Sequence, residues 1–162
     1  MEDDFLKVIQ AISVRLTDRG QSLAVAESCT GGFIANAITD LAGASRFFSL
    51  GVISYSAEAK HLALGVGRQT LTAYGTVSEE TAGAMSEGVR KVCGATFGLA
   101  TTGVAGPDTV EGKSVGLVYI SCSREGSSSG RTLRLSGGRE QIKRRAALEA
   151  LRFFLEVIDS WE

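Results

Sequence analysis

The sequence of 162 residues contains only one histidine, three cysteines and one proline. Any histidine-based zinc site or Ser-His-Asp triad would have to use His61, so both kinds of site are disfavoured. The odd number of cysteines, without a C-x-x-C pair, is typical of a reduced, cytoplasmic protein that has no disulfide framework. We therefore predict neither a metal ion nor a cofactor.

Long apolar runs and an excess of one charge are also missing. No apolar stretch reaches the roughly 20 residues that a membrane-spanning helix needs, which disfavours a membrane as partner. The net charge of −1 provides no broad basic field, which disfavours nucleic acid. With 44% hydrophobic and 22% charged residues, the composition is that of an ordinary globular protein, and residues 1–162 are predicted to form one domain.

Hydrophobic periodicity and turn residues predict the element order α-β-α-β-α-α-β-β-β-α. Strands are predicted at residues 23–27, 47–55, 95–102, 114–123 and 130–135. Helices are predicted at residues 3–19, 31–41, 56–65 and 139–158 and from residue 78 onward, with a loop over residues 66–77. This order predicts a three-layer α/β/α domain, in which a mixed, mostly parallel five-stranded sheet contains one antiparallel strand.

The stretch LAVAESCTGGF at residues 23–33 joins a buried strand, a turn and a glycine-opened helix. Ser28 lies at the carboxyl end of this strand, where open α/β sheets bind ligands. Thr30 is the predicted N-cap, and Gly31 and Gly32 allow a tight turn whose N–H groups could hold an anion. Ser28 is thus a candidate nucleophile, although a serine or threonine before a helix is more often only a cap.

Lys60 falls near the start of the next short helix, for which Ser56 is the predicted N-cap. A partly buried lysine at the positive end of a helix dipole has a lowered pKa and is able to act as a general base. Tyr55 ends the preceding strand, immediately before the cap. In the alternative interpretation, Lys60 pairs with Glu58 and extends over Tyr55.

Two further segments could meet an anionic ligand. TTGVAGPD at residues 101–108 forms a constrained loop after a buried strand, although it matches neither the P-loop nor the dinucleotide-binding fingerprint. The first turns of the last helix carry four cations, Arg139, Lys143, Arg144 and Arg145. Their sign opposes the helix dipole, which an anionic ligand or a solvated face paired with Glu140 explains equally well.

Taken together, five stretches of the sequence resemble one known family. They are AESCTGG at residues 26–32, GVISYSAEAKHLALGV at 51–66, YGTVSEETAGAM at 74–85, TTGVAGPD at 101–108 and SVGLVYI at 114–120. In order and spacing they resemble the CinA C-terminal domain, which is also known as the nicotinamide-nucleotide amidase or NMN deamidase domain. The resemblance covers nearly the whole chain and is to the stand-alone form, without the molybdopterin-binding-like domain of long CinA proteins.

This resemblance implies hydrolysis of the carboxamide of nicotinamide mononucleotide (NMN) to nicotinate mononucleotide and ammonia, in pyridine-nucleotide salvage. It implies Ser28 as the nucleophile, Lys60 as its base and Tyr55 as a residue that orients this pair or relays a proton. It also implies a mixed five-stranded, three-layer fold. The sequence departs from the family pattern at residues 109–111, where Thr-Val-Glu replaces a glycine-rich continuation, and at Ser114, where the family has proline.

Contacts with NMN are expected from residues on both sides of this nucleophile. Glu27 would face the pyridinium charge, and the N–H groups of Thr30, Gly31 and Gly32 would stabilise the oxyanion. The phosphate would lie on the 102–106 loop or on the cluster of Arg139 and Lys143. The loop residues expected to bind substrate are Thr102, Gly103, Ala105 and Gly106.

Three alternatives remain at this stage. Cys29 is a rival nucleophile, because a thiol near a helix N-terminus is reactive, and a small buried cysteine is its other interpretation. A nucleotide-binding or regulatory module without turnover, linked to competence or DNA damage, is the second function class, and a structural protein is the third. We expect a homodimer, from the frequency of two-fold symmetry among oligomers.

Overall fold

The structure, a computed structural model that describes residues 2–161, is built from five strands and six α-helices. The strands are β1 (Leu23–Glu27), β2 (Phe48–Ile53), β3 (Phe97–Gly103), β4 (Leu117–Arg124) and β5 (Ser127–Arg134). The helices are α1 (Glu2–Asp18), α2 (Phe33–Thr39), α3 (Ala57–Leu64), α4 (Arg68–Tyr74), α5 (Glu79–Cys93) and α6 (Arg139–Ser160). A 3-10 turn at Ala44–Arg46 leads into β2.

The strands form one sheet in the order β2-β1-β3-β4-β5. β1 pairs in parallel with β2 and with β3, whereas β4 is antiparallel to both β3 and β5. Four strands therefore run in one direction and β4 runs against them, which confirms the predicted mixed, mostly parallel sheet. Because β1 lies between β2 and β3, the carboxyl ends of these strands meet at one edge, where open α/β sheets bind ligands.

Two apolar cores flank the sheet, and β1 contributes to both. Leu23 and Val25 belong to the core formed with α1, α2 and α6, whereas Ala24 and Ala26 belong to the core formed with α3 and α5. This alternation is that of a strand buried on both faces. The helices accordingly form two outer layers, as the three-layer prediction requires.

Two glycines bring one helical layer very close to the sheet. A Cβ on Gly98 in β3 would lie 1.9 Å from Ser86 O in α5. A Cβ on Gly88 in α5 would lie 2.0 Å from Leu64 O in α3. Both distances are far below van der Waals contact, so a larger residue would have to displace backbone. The absence of side chains here sets how closely α5 approaches the sheet and how closely α3 approaches α5.

The structure differs from the prediction around α2 and α4. Residues 66–77, predicted as a loop, contain α4, which begins after Gly67 without a side-chain cap and has no buried residue. Neither a capping signal nor an apolar stripe therefore marks this helix in the sequence. α2 begins only at Phe33, because Gly31 and Gly32 adopt left-handed φ angles of 60° and 95°.

The hairpin of β4 and β5 is also longer than predicted. β5 begins at Ser127, and the connection consists of Glu125 and Gly126 alone. Gly126 has a φ of 72°, the left-handed conformation that two-residue hairpin turns use. The residues predicted as a polar loop, 124–129, therefore belong mostly to the strands.

Candidate active site

The parallel strands position the predicted catalytic segments beside one another. The N–H of Ser28, directly after β1, donates to Thr101 O in β3 at 3.1 Å. The N–H of Ser54, directly after β2, donates to Glu27 O in β1 at 2.9 Å. These bonds continue the parallel ladders beyond the strand ends and hold Ser28 between its two neighbouring strands.

Lys60 approaches Ser28 from α3. Its Nζ lies 3.0 Å from Ser28 Oγ and donates to Ser54 O at 2.7 Å. Ser56 caps α3, because its Oγ accepts the N–H of Ala59 at 3.1 Å. The cap fixes the start of the helix that carries Lys60, and the structure thus brings the serine and the lysine into hydrogen-bonding contact.

Burial changes the acid–base chemistry of Lys60. The residue is fully buried, with 0% of its surface exposed, which disfavours the ammonium form. Desolvation lowers the pKa of Lys60 from 10.5 to about 8, against the opposing influence of the Cys29 thiol and the Glu111 carboxylate. The neutral amine is therefore accessible near physiological pH, and its lone pair is able to accept the Ser28 hydroxyl proton.

Glu58 does not take the role that the alternative interpretation gave it. Its carboxylate forms an exposed salt bridge with Arg68, at 2.9 Å, on the surface of the protein. Lys60 therefore points into the protein towards Ser28, while the acid two residues earlier is held by another cation.

Cys29 lines the same cavity as Ser28 but is 95% buried, with 5% of its surface exposed. Burial, and then the negative charge of Glu27, raise the pKa of the Cys29 thiol to about 12. Since the thiolate is the nucleophilic form of cysteine, this environment disfavours Cys29 as the attacking group.

Tyr55 lies at the wall of the cavity that Ser28 also lines. Its side chain is 60% exposed, and its hydroxyl accepts a hydrogen bond from Arg139 Nη2 at 2.9 Å. Within residues 2–161 it forms no hydrogen bond with Ser28 or Lys60. Its hydroxyl is directed to the first turn of α6, and the expected role of Tyr55 in orienting this pair or relaying a proton stays a prediction.

Glu27 and Thr30 also differ from expectation. The Glu27 carboxylate, 1% exposed, accepts the N–H groups of Gly32 at 3.1 Å, Ile34 at 3.1 Å and Ala35 at 2.8 Å. It therefore caps α2 and cannot also face a pyridinium ring. The Thr30 hydroxyl instead bonds the Thr101 hydroxyl at 2.8 Å, so the prediction of Thr30 as N-cap is wrong.

Hydrogen bonds within this turn occupy some of the N–H groups that were expected to stabilise the oxyanion. The N–H of Gly31 donates to Ser28 O at 3.0 Å, and that of Gly32 is held by Glu27. Neither N–H is free for a ligand, which corrects two members of the predicted set. Among the described residues, the N–H groups of Cys29 and Thr30 donate no hydrogen bond to another residue. Of these two, only Cys29 lines the cavity next to Ser28.

Replacing Glu27 by Ala is expected to lower the free energy of unfolding by about 2–3 kcal/mol, because it leaves buried N–H groups at the start of α2 without an acceptor. Equilibrium urea unfolding followed by circular dichroism measures this loss. Glu58→Ala is the matched control, since its salt bridge is exposed on the surface and contributes little to stability. Equal losses in the two variants would contradict the capping role.

The cavity next to Ser28 has a volume of about 340 Å³. Its wall is formed by Ser28 and Cys29, by Thr76 and Val77, by residues 102–108, and by Tyr55, Val110 and Arg139. The expected substrate-binding residues Thr102, Gly103, Ala105, Gly106 and Arg139 all belong to this wall. Glu27, Thr30, Gly31 and Gly32 do not, because they lie in the turn behind the nucleophile.

Residues 102–108 are anchored from several sides. The N–H of Val104 donates to Leu117 O at 2.9 Å, and Gly106 O accepts a hydrogen bond from Arg139 Nη1. The Thr102 hydroxyl donates to Thr76 O at 2.6 Å. This loop is therefore a fixed wall of the cavity.

The cations of α6 separate into two groups. Arg139 lines the main cavity and, with Phe33, Glu140 and Lys143, a neighbouring cavity of about 410 Å³. By contrast, Arg144 lies over the ring of Phe33 and pairs with Glu140 at 3.2 Å. Arg139 and Lys143 are thus the α6 cations that border these cavities, while Arg144 belongs to the paired surface.

A clamp formed by Glu111 was missed by the sequence reasoning. Glu111 has a left-handed φ of 54°, and its carboxylate accepts the N–H of Thr76 at 2.8 Å, the Thr76 hydroxyl at 2.6 Å and the N–H of Val77 at 3.3 Å. Lys113 Nζ donates to Val77 O and, at 3.1 Å, to Tyr74 O. The departure from the family pattern at residues 109–111 was the only signal in the sequence. It does not indicate that Glu111 contacts Thr76 and Val77. The clamp holds Thr76 and Val77 at the cavity wall.

The described residues contain neither a metal-binding group nor a membrane-spanning helix. Within residues 2–161, no three His, Cys, Asp or Glu side chains are grouped so that they could hold a metal ion. Over the same residues, no helix has the length and apolar character needed to cross a membrane.

The family model of the CinA C-terminal domain matches residues 6–158. The chain belongs to the CinA C-terminal domain family. A relative from Thermoanaerobacter sp. (strain X514), named for competence-damage inducibility, is 50% identical over 146 residues, which are 88% of this chain and 35% of that protein. The CinA domain described here thus spans about a third of the length of the curated relatives that it matches.

Solved structures of the CinA superfamily share the whole fold. Competence damage-inducible protein A (ComA) from Klebsiella pneumoniae subsp. pneumoniae MGH 78578 has a TM-score of 0.94 at 31% identity, covering 98% of this chain and 99% of that chain. The competence/damage inducible protein CihA from Agrobacterium tumefaciens has a TM-score of 0.90 at 36% identity, covering 94% of each chain. These names refer to competence and damage and state no reaction.

Proposed function

We propose that this CinA domain is an amidohydrolase that converts NMN to nicotinate mononucleotide and ammonia by a Ser-Lys mechanism. The observation that carries the proposal is the contact between Lys60 Nζ and Ser28 Oγ, 3.0 Å apart at the wall of a cavity. A fully buried lysine with a lowered pKa beside a serine hydroxyl is the arrangement that activates serine in the absence of histidine. The substrate is the one that the family resemblance implies.

In the proposed acylation step, the neutral amine of Lys60 removes the hydroxyl proton of Ser28 as Oγ attacks the carboxamide carbon. The negative charge that develops on the carboxamide oxygen is stabilised by the N–H group of Cys29, the residue after the nucleophile, which also lines the cavity. The Lys60 ammonium then returns its proton to the departing nitrogen, the C–N bond breaks, and ammonia leaves. This assigns to Lys60 the proton transfer for which Tyr55 had been considered.

Deacylation repeats the same proton transfers with water. Lys60, again neutral, takes a proton from a water molecule that attacks the acyl-enzyme ester. The ester bond to Ser28 breaks and Oγ regains the proton from Lys60. Nicotinate mononucleotide is released, and the dyad returns to its starting state.

The anionic end of the substrate is best matched by Arg139. Its guanidinium lines the main cavity and is held by Gly106 O and the Tyr55 hydroxyl, so it is positioned before a ligand arrives. Lys143, at the neighbouring cavity, adds a second cation for a phosphate. The 102–106 loop then supplies the wall between the phosphate and the reacting amide.

The test is to incubate the purified protein with NMN and to measure ammonia together with nicotinate mononucleotide. We expect equimolar formation of both products. Binding of NMN without either product would favour a nucleotide-binding or regulatory module, the function class that agrees best with relatives named for competence and damage. The homodimer expected from symmetry stays a prediction. Sedimentation velocity, which measures the oligomeric state in solution, tests it.

Replacing Cys29 by Ser is expected to leave kcat/KM for NMN within about threefold of the wild type, because the raised pKa of the Cys29 thiol keeps it protonated. Alkylation of the wild type with iodoacetamide at pH 7 should be equally harmless. Loss of activity in this conservative variant, with the fold intact, would make the thiol the nucleophile and overturn the assignment of Ser28.

A further inference from the structure

The main cavity carries one charged side chain of each sign. Arg139 supplies the positive charge, and Asp108, at the end of the 102–108 loop, supplies the negative charge. The loop is tied to α6 by the bond from Arg139 to Gly106 O, two residues before Asp108. Both charges therefore belong to one connected part of the wall.

The other carboxylates near the site are already engaged by the protein. Glu27 is buried against the N–H groups that begin α2. Glu111 accepts three hydrogen bonds from Thr76 and Val77 and lies 3.5 Å from Lys113 Nζ. Glu140 pairs with Arg144. Glu27 and Glu111 are therefore held by hydrogen bonds within the protein, and Glu140 does not line the main cavity.

Asp108 differs from these three acids in its partners. It is exposed at the cavity, and no residue between 2 and 161 donates a hydrogen bond to its carboxylate or forms a salt bridge with it. A carboxylate in such a position attracts a cation most strongly where the walls of a cavity exclude part of the solvent. It also disfavours an uncharged ligand, because such a ligand would displace water from the carboxylate without supplying a positive charge in its place.

We propose that Asp108 makes the site selective for carboxamides carried on a positively charged ring, so that an N-substituted pyridinium is preferred to its uncharged, reduced form. This inference rests on the proposed function and deepens it. A pyridinium nucleotide is positive at the ring and negative at the phosphate, and Asp108 and Arg139 provide the opposite charges on one wall. The charge on the ring, which Glu27 had been expected to meet, falls to Asp108.

The experiment compares NMN with its reduced dihydro form, which has the same carboxamide, ribose and phosphate but no charge on the ring. The ratio of kcat/KM for the two substrates is measured for the wild type, for Asp108→Asn and for Asp40→Asn. Asp40 is an exposed acid at the end of α2, outside the main cavity, and its variant has the same net charge as Asp108→Asn. Comparing this ratio between wild type and variants cancels the difference in intrinsic reactivity between the two amides.

We expect Asp108→Asn to lower the preference for NMN by about fivefold, the effect of one partly exposed charge pair. The control variant should keep the wild-type ratio. An unchanged ratio in Asp108→Asn, or an equal loss for both substrates, would overturn the inference.

Binding measurements separate this inference from the proposed reaction. In a Ser28→Ala background, the dissociation constants of NMN and its reduced form are measured by calorimetry, with and without Asp108→Asn. A selective loss of NMN binding supports the role of Asp108 even if the wild type releases no ammonia, in which case only the amidase proposal fails. Equal binding of both ligands with and without Asp108 overturns the selectivity whatever the turnover.

Discussion

Ammonia release from NMN is expected to fall by at least about 10³-fold when Ser28 is replaced by Ala. The variant has no oxygen to form the acyl-enzyme, while the cavity and its charged groups remain. NMN should still bind, so the loss should appear in kcat rather than in the dissociation constant. A coupled ammonia assay and calorimetric titration of the same preparation give the two quantities.

Ser54→Ala is the matched control for this substitution. Ser54 is buried next to the dyad, and its hydroxyl has no hydrogen-bond partner in the described part of the chain. The group that meets Lys60 is its backbone carbonyl, which the substitution leaves in place. The control should therefore keep most of the activity. If Ser28→Ala were as active as Ser54→Ala, Ser28 would not be the nucleophile.

Lys60→Met is expected to reduce kcat by about 10²–10⁴-fold, the contribution of a positioned general base. Methionine fills a similar volume but cannot accept the Ser28 proton. In the wild type, kcat/KM should rise about tenfold per pH unit below about pH 8 and level off above it, because the neutral form of Lys60 is the active one and its pKa is lowered to about 8. The pH profile of the residual activity in the variant should lack this step.

The same substitution should make the protein more stable at neutral pH. Burial lowers the pKa of Lys60 from 10.5 to about 8, which corresponds to a cost of about 3 kcal/mol for keeping the protonated side chain in the folded state. Removing the lysine removes this cost, but it also leaves Ser54 O without a hydrogen-bond donor. We therefore expect a net increase in the free energy of unfolding of about 1–2 kcal/mol at pH 7.

The pH dependence of this stability difference has a defined sign. Below pH 8 the lysine is protonated in both the folded and the unfolded chain, and the full cost applies. As the pH rises from about 8 through the unfolded value of 10.5, the cost disappears, since both states become neutral. Urea unfolding of wild type and variant across this range measures the convergence. A constant difference would contradict the burial of a titrating amine.

The sequence was most informative where local signals and strand order act together. The run at residues 23–26 and the glycines that follow mark β1 and its turn, and the turn places Ser28 at the carboxyl edge of the sheet. Ser56 marks the start of α3, which positions Lys60. Because β2 lies beside β1 in the sheet, these two segments are neighbours. Contact between their side chains follows from elements that are each visible in the sequence.

What could not be predicted depends on partners that are distant in sequence or on competing local bonds. The hydroxyl of Tyr55 meets Arg139, 84 positions later, and Glu111 meets Thr76, 35 positions earlier. No local pattern specifies such pairs. Glu27 was misassigned for a different reason, because its carboxylate curls back onto the N–H groups of the following helix and takes the place of the expected threonine cap.

The close packing at Gly88 and Gly98 affects the position of the proposed catalytic lysine, although both glycines lie outside the cavity. Gly98 and Gly88 determine how β3, α5 and α3 stack upon one another, and α3 carries Lys60 at the far end of this stack. A shift of α5 or α3 at these contacts would therefore change the distance between Lys60 and Ser28, because backbone packs directly against backbone. A larger residue at either glycine is therefore expected to impair proton transfer as well as folding, although neither glycine lines the cavity.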